Sequence, residues 1–496
     1  MSARRPALPS LLLALALAAL AGPARADAAP ARSACPPDHW VASWAAAPGS
    51  ARVPGFEDQT LRMVVTPHLG GATLRLRLSN RFGSQPVTFD AVAVARRLGG
   101  AGPALEPGSG RRALFGGHAR VTIAPGAERL SDPVALEHAA LEPLAVSLSV
   151  RGPSGPATEH LVGQQTSYLT PRGSGEAVDD EDGDEFTETT TARWFLTAVD
   201  TLAPASTGAL VAFGDSYTDG YLGSRSPLAP NLEGVDADGR YPDALRRRLL
   251  TGVGAPALSV VNAGISGNRL LADGLIPQHG PSALGRFASD ALSQAGATQV
   301  LILGGANDLG ARSATAPEIT GALAGLVAQA RAAGLSPLLG TIPPARGAAS
   351  EDYGDVRYDE ARREINAWIR AGGGADGIVD FDVALRDAAD PTRLAARFDS
   401  GDGLHPNLDG LRAMAEAVSL AVLRAPAVAV PVGLARRDRR GLRHAVVRVD
   451  GRRVGVIRRP RDTVTVPLLA QAAQVTVTVR REGRPPARRA LALGPC

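Results

Sequence analysis

The hydrophobic pattern changes period twice along the chain. Over residues 38–200 it alternates. Residues 74–78 (Leu-Arg-Leu-Arg-Leu) and 145–150 read as strands with one wet face, and 87–94 and 120–123 are further strand candidates. Turns rich in glycine and proline separate them, which predicts a β-sandwich or jelly roll. Its last strand is expected at 194–199, with 201–207 as a linker. From Ala209 short apolar runs of the buried-strand kind take over, at 209–213, 258–263, 299–303, 337–341 and 377–381. Helical periodicity fills the intervals at 242–250, 282–295, 317–333 and 358–370. This alternation predicts a mostly parallel sheet covered by helices on both faces. A last helix is expected over 408–423, with Leu411, Met414, Val418 and Val422 on one face and Pro426 at its end. Residues 427–496 alternate once more, at 446–449, 454–457, 464–466 and 475–479. Asp450-Gly451 is a hairpin signal between the first two of these.

The pattern therefore divides the chain into an N-terminal β-domain (38–200), an α/β domain (208–424) and a small, arginine-rich β-module (427–496). Residues 1–26 read as an export signal: Arg4 and Arg5 give the positive end, 11–21 the apolar core, and Ala24-Arg25-Ala26 a cleavage site. That core is too short to anchor the chain in a bilayer, and no later stretch is long enough. A secreted or periplasmic location follows, with no stable membrane insertion. The net charge of +4 over 496 residues gives no argument for nucleic-acid binding. The acidic run 179–185 lacks the spacing of a calcium loop, because Val178 stands where the first ligand would fall, and it reads as a solvated loop. The eight histidines are scattered, so neither a metal nor a cofactor is expected. The two cysteines, Cys35 and Cys496, lie near opposite ends of an exported chain, where one disulfide between them is the simplest expectation.

Four segments carry candidate chemistry, each at the carboxyl end of an apolar run or just before the last helix. Gly214-Asp215-Ser216 follows the first run, where open α/β sheets place their ligands. Asn262-Ala-Gly264-Ile-Ser-Gly267 follows the second, and Gly264 is small enough to bring its N–H close to a substrate. Gly305-Ala-Asn307-Asp308 follows the third, and the Asn307 amide can donate to a developing oxyanion. Asp402-Gly-Leu-His405 precedes the last helix. A spacing of three lets a tight turn bring carboxylate to imidazole, so that Asp402 fixes the tautomer while His405 faces Ser216. Each residue has a plainer rival role. Ser216 could cap the helix that follows it, Asn307 and Asp308 could bond their own loop, Gly264 could be a turn glycine, and Asp399 could orient the histidine in place of Asp402. His279 reads as an ordinary loop residue that can line the cleft.

Taken together, the four blocks resemble the SGNH subgroup of the GDSL esterase/lipase superfamily over about residues 208–424. The resemblance implies a flavodoxin-like, three-layer α/β fold. It also implies Ser216 as nucleophile, His405 as base and Asp402 as its orienter, with Ser216 N–H, Gly264 N–H and Asn307 as oxyanion donors. The β-domain before it, with Trp40 to Trp44 and residues 74–82, looks like the front domain of secreted bacterial members. The expected activity is hydrolysis of carboxylic esters through an acyl-enzyme, because a serine becomes nucleophilic only when a neighbouring base takes its proton. Oxygen esters suit the site better than amides, and O-acetyl groups on polysaccharide suit the flanking β-domains. A lipase or lysophospholipase is the alternative, and a non-catalytic carbohydrate- or envelope-binding protein is the alternative of another class. The arginines of the last module offer a contact for an anionic envelope polymer, beside their plainer role as solvated strand faces.

Overall fold

In the computed structural model, described over residues 37–100, 102–223, 231–424, 426, 428–434, 438–449, 451–468 and 473–493, five parallel strands carry the α/β part. In spatial order they are Leu258–Gly264, Gly208–Gly214, Ala297–Leu303, Ser336–Gly340 and Gly377–Val379. Numbered along the chain this is 2-1-3-4-5, the flavodoxin-like order, and it reverses direction beside the first strand. Ligands of open α/β sheets bind at such a reversal, outside the carboxyl ends of the strands. The strands form because their apolar runs are covered on both faces, and the first is buried at every position. The helix Ala316–Ala332 opens with a reciprocal cap between Thr315 and Glu318. It buries Ile319, Leu323, Leu326, Val327 and Ala330 in the core that the sheet shares.

The fifth strand and the last helix end earlier than predicted. The run 377–381 is a strand only to Val379, because the Asp380 side chain accepts the Val383 N–H at 3.1 Å and starts the short helix Phe381–Leu385. The helix expected over 408–423 stops at Ala417. Arg248 donates to the carbonyls of Ala415 and Val418, the latter at 3.0 Å, and so takes up acceptors that a further turn would use. Ser419 then caps a separate turn, Leu420–Val422.

The N-terminal region is built of antiparallel strands. The sheet containing Gln59–Val65, Leu144–Val150 and Ala91–Arg96 shares one core with the sheet containing Gly71–Ser79, Leu196–Ala203 and Val134–His138. The candidate strand 87–94 is two strands broken at Asp90: Val87–Phe89 pairs with Val121–Ile123, and Ala91–Arg96 pairs with Leu144–Val150. The last strand also differs. Phe195 at φ 61° interrupts it, and it resumes as Leu196–Ala203, so the start of the expected linker is strand. The acidic run 179–185 is a loop, in which Asp180 accepts the Gly183 and Glu185 N–H groups and Asp179 pairs with Arg112. This region packs directly on the α/β part. Ala42 N–H donates to the Ala295 carbonyl at 2.8 Å, Arg81 pairs with Asp290 at 2.6 Å, and Val41 and Ala209 share an apolar cluster.

The C-terminal region has a four-stranded antiparallel sheet, in the order Arg452–Ile457, Leu442–Val449, Ala473–Arg481 and Arg484–Leu493. A separate pair joins Val428–Gly433 to Thr463–Leu468. The strands on either side of the predicted hairpin pair antiparallel, with Val449 opposite Arg452. The strands 428–433 and 484–493 were not anticipated, the second because its alternation is interrupted by paired prolines and arginines. The export signal 1–26, Cys35 and Cys496 lie outside the described residues. Among the described residues no helix is long and apolar enough to cross a membrane.

Candidate active site

Ser216 stands where the first strand gives way to a single helical turn, Ser216–Asp219. Asp215 makes that turn by accepting the Tyr217 N–H at 3.1 Å, and Gly220 closes it in a left-handed conformation. As the first residue of a helix, Ser216 has no intrahelical acceptor for its N–H. Its Oγ lies 3.0 Å from His405 Nε2, and His405 Nδ1 lies 2.7 Å from Asp402 Oδ2. The other Asp402 oxygen accepts the backbone N–H groups of Leu404 at 2.9 Å and His405 at 2.8 Å. Burial works against the charged form of Asp402. The His405 ring and these backbone donors outweigh it and hold the carboxyl below its usual range. Tyr221 meets the His405 ring edge-on at 5.0 Å, and Tyr217 donates its hydroxyl to the Leu404 carbonyl at 3.1 Å. Asp399 is engaged elsewhere, accepting the N–H groups of Gly401 and Gly403. The structure therefore brings Ser216, His405 and Asp402 together and leaves Asp399 out of contact with the ring.

The expected oxyanion donors divide. Asn307 lines the same cavity as Ser216 and His405. Its Nδ2 donates to the Asn268 carbonyl at 2.9 Å, and its Oδ1 accepts the Tyr353 hydroxyl at 2.7 Å. Burial raises the Tyr353 phenol to about 12, so it stays a donor. The second Nδ2 hydrogen of Asn307 has no acceptor among the described residues and is available to the cleft. Gly264 does not serve as expected. Its N–H is taken by Asn262 Oδ1 at 2.8 Å, and the residue is not part of the cavity wall. The glycine three positions on, Gly267, does line the cavity, at φ +77° and with no backbone acceptor for its N–H among the described residues. Asp308 is buried and accepts the Leu270 and Leu271 N–H groups, which fixes the loop after the second strand. Burial raises its carboxyl above the usual range, against those two donors.

The cavity of about 430 Å³ is bordered by both the α/β part and the N-terminal region, which contributes Gly49, His160, Leu161 and Val162. His279 lines it as anticipated, and burial together with Arg269 lowers its pKa. Sequence reasoning missed Gly267, Tyr353, Tyr221, His160 and Asp219. Gly267 closes a quoted block but nothing in the sequence sets it above Gly264, and nothing near His160 in the sequence marks it.

Among solved structures, the chain is similar to a putative lipolytic protein of the G-D-S-L family from Desulfitobacterium hafniense DCB-2, with 19% identity over 44% of this chain and 100% of that one, at a TM-score of 0.31. It is also similar to Est24, a carbohydrate acetylesterase from Sinorhizobium meliloti, with 17% identity over 42% and 96% of the two chains and a TM-score of 0.34. The M. smegmatis aryl esterase gives the same figures, 17%, 42%, 96% and 0.34. No curated protein matches the chain. Residues 212–413 match the family model of the GDSL-like lipase/acylhydrolases, so this part of the chain is a GDSL-like lipase/acylhydrolase domain.

Proposed function

We propose that the protein is an exported serine esterase that cleaves carboxylic esters through an acyl-enzyme. The observation that carries the reading is the continuous contact from Ser216 Oγ through His405 to Asp402, at 3.0 and 2.7 Å. In this reading the fold is the three-layer, flavodoxin-like arrangement, with residues 38–200, 208–424 and 427–496 as its domains. His405 Nε2 takes the Ser216 proton as Oγ attacks the ester carbon, and Asp402 steadies the imidazolium that results. The tetrahedral oxyanion is met by Ser216 N–H, the Asn307 amide and the Gly267 N–H. Each such donor is worth roughly 3 kcal/mol of barrier. His405 then returns the proton to the departing alkoxide, and water repeats the sequence on the acyl-enzyme.

O-acetyl groups on a polysaccharide are the proposed substrate, because the cleft presents Gln278, His279, Asn307 and Tyr353 to a polar alcohol portion. A second reading, a lipase or lysophospholipase, draws on Leu161 and Ile276, which border the cavity and are 45% and 48% exposed, and on Leu275 beside them. A series of nitrophenyl esters from acetate to palmitate decides between the two. The chemistry itself is tested with S216A, which should fold normally and lose hydrolysis, and by mass spectrometry of wild type after a fluorophosphonate. Native-like turnover by S216A, or an adduct on another residue, would refute the assignment.

A further inference from the structure

A second histidine–aspartate pair faces the same cavity. His160 ends the strand Ala157–His160 of the N-terminal region, and Asp219 ends the helical turn that Ser216 opens. Both are buried, and His160 Nε2 stands 3.1 Å from Asp219 Oδ1. Nε2 also faces the Val162 carbonyl at 3.1 Å, and Nδ1 faces the Ala47 carbonyl at 2.7 Å. Every partner of this ring is an acceptor. A neutral imidazole has only one donor nitrogen and would turn a lone pair on a carbonyl or a carboxylate, whereas the doubly protonated ring donates from both nitrogens, Nδ1 to Ala47 and Nε2 shared between Asp219 and Val162. Asp219 is matched to it. Burial opposes its charge, but His160, Arg240 and the Ser266 hydroxyl outweigh burial and hold the carboxyl below its usual range.

The second Asp219 oxygen accepts the Ser266 N–H at 2.9 Å and the Ser266 hydroxyl at 2.7 Å. Ser266 immediately precedes Gly267. One carboxylate thus joins the turn that carries the nucleophile, the Ser266–Gly267 segment and a strand of the N-terminal region. Left without His160, that carboxylate would keep only Arg240 and the Ser266 donors, and more of its negative charge would stand on the wall where negative charge builds up during attack.

We infer that His160 is a positioning residue for the hydrolytic site: as a cation it neutralises Asp219 and, through it, fixes the Ser266–Gly267 segment. The N-terminal region is then part of the catalytic apparatus and not only a module attached to it. The inference rests on the serine-esterase reading, and active-site titration separates the two. Fluorophosphonate labelling of Ser216 in the wild type tests that reading alone, whatever His160 does. With labelling established, H160A should lower kcat on nitrophenyl acetate by about tenfold or more while KM stays within about twofold. Adding D219N to H160A removes the negative charge that His160 had opposed and should recover several-fold in kcat, a coupling that a merely structural loss would not produce. A kcat of H160A within about twofold of wild type, or a double variant no faster than H160A, would overturn the inference. Should H160A not fold, H160Q decides the matter, because it keeps a donor but lacks the charge. It should be several-fold slower than wild type, and wild-type kcat would overturn the inference.

Discussion

Gly264 lies so close to the turn that opens at Ser216 that a Cβ built on it would stand 2.3 Å from the backbone nitrogen of Asp219. Neither backbone can yield without moving the other, so the glycine is explained by packing and not by oxyanion binding. G264A should therefore be destabilised by about 1–3 kcal/mol, the usual cost of overpacking. Its kcat should fall as well, since the displaced turn begins at Ser216. Thermal unfolding and turnover measured together test this, and a wild-type Tm would refute it.

Asp399 and Asp402 occupy one turn, but only Asp402 meets the imidazole. D402N should lower kcat by on the order of 10³–10⁴-fold, because the amide favours the wrong His405 tautomer. D399N weakens two backbone bonds within the turn and should change Tm more than kcat. Comparing the two variants on nitrophenyl acetate checks the assignment, and a reversal of the two effects would transfer the orienting role to Asp399.

How far the sequence shows this site follows from where its parts lie. Three of the blocks were readable because each follows an apolar run, and the parallel order places those run ends along one edge of the sheet; the fourth was readable from its spacing just before the last helix. The choice between Gly264 and Gly267 was not readable. It depends on the Asn262 side chain turning back to take the nearer N–H, a matter of rotamer and turn path. His160 was hidden for another reason: it comes from an antiparallel strand 59 residues before Asp219, and only the packing of the two regions brings them together. The early end of the helix at Ala417 had no local cause either, because Arg248 comes from a helix 167 residues earlier.

Asp215 adjoins Ser216, and its Oδ2 is buried without a hydrogen-bond partner among the described residues. Burial pushes its carboxyl up to about 7 from 3.8, although the Tyr217 N–H works in the opposite direction. Between those two pH values the native chain keeps a proton that the unfolded chain has released, so this group's contribution to stability falls as pH rises. D215N keeps an acceptor for Tyr217 and cannot ionise. Its Tm relative to wild type should climb from pH 4 to pH 8. A difference that stays flat over that range would mean that Asp215 titrates normally.

Asn307 and Tyr353 form the last testable unit. The amide orientation is set from both ends: Oδ1 accepts the Tyr353 hydroxyl at 2.7 Å, and one Nδ2 hydrogen goes to the Asn268 carbonyl at 2.9 Å. Among the described residues the second Nδ2 hydrogen has no acceptor, and it belongs to a residue on the wall shared by Ser216 and His405. A donor held this way costs no reorganisation when the oxyanion forms, which makes it more effective than a free amide. N307A should therefore lower kcat by about 10²-fold with little change in KM, since the bond strengthens only in the transition state. Y353F removes the outer support but leaves the donor, so its loss should be several-fold and confined to kcat. In the N307A background Y353F should add almost nothing, because its effect passes through the amide. Independent, multiplying losses would show instead that Tyr353 meets the substrate directly.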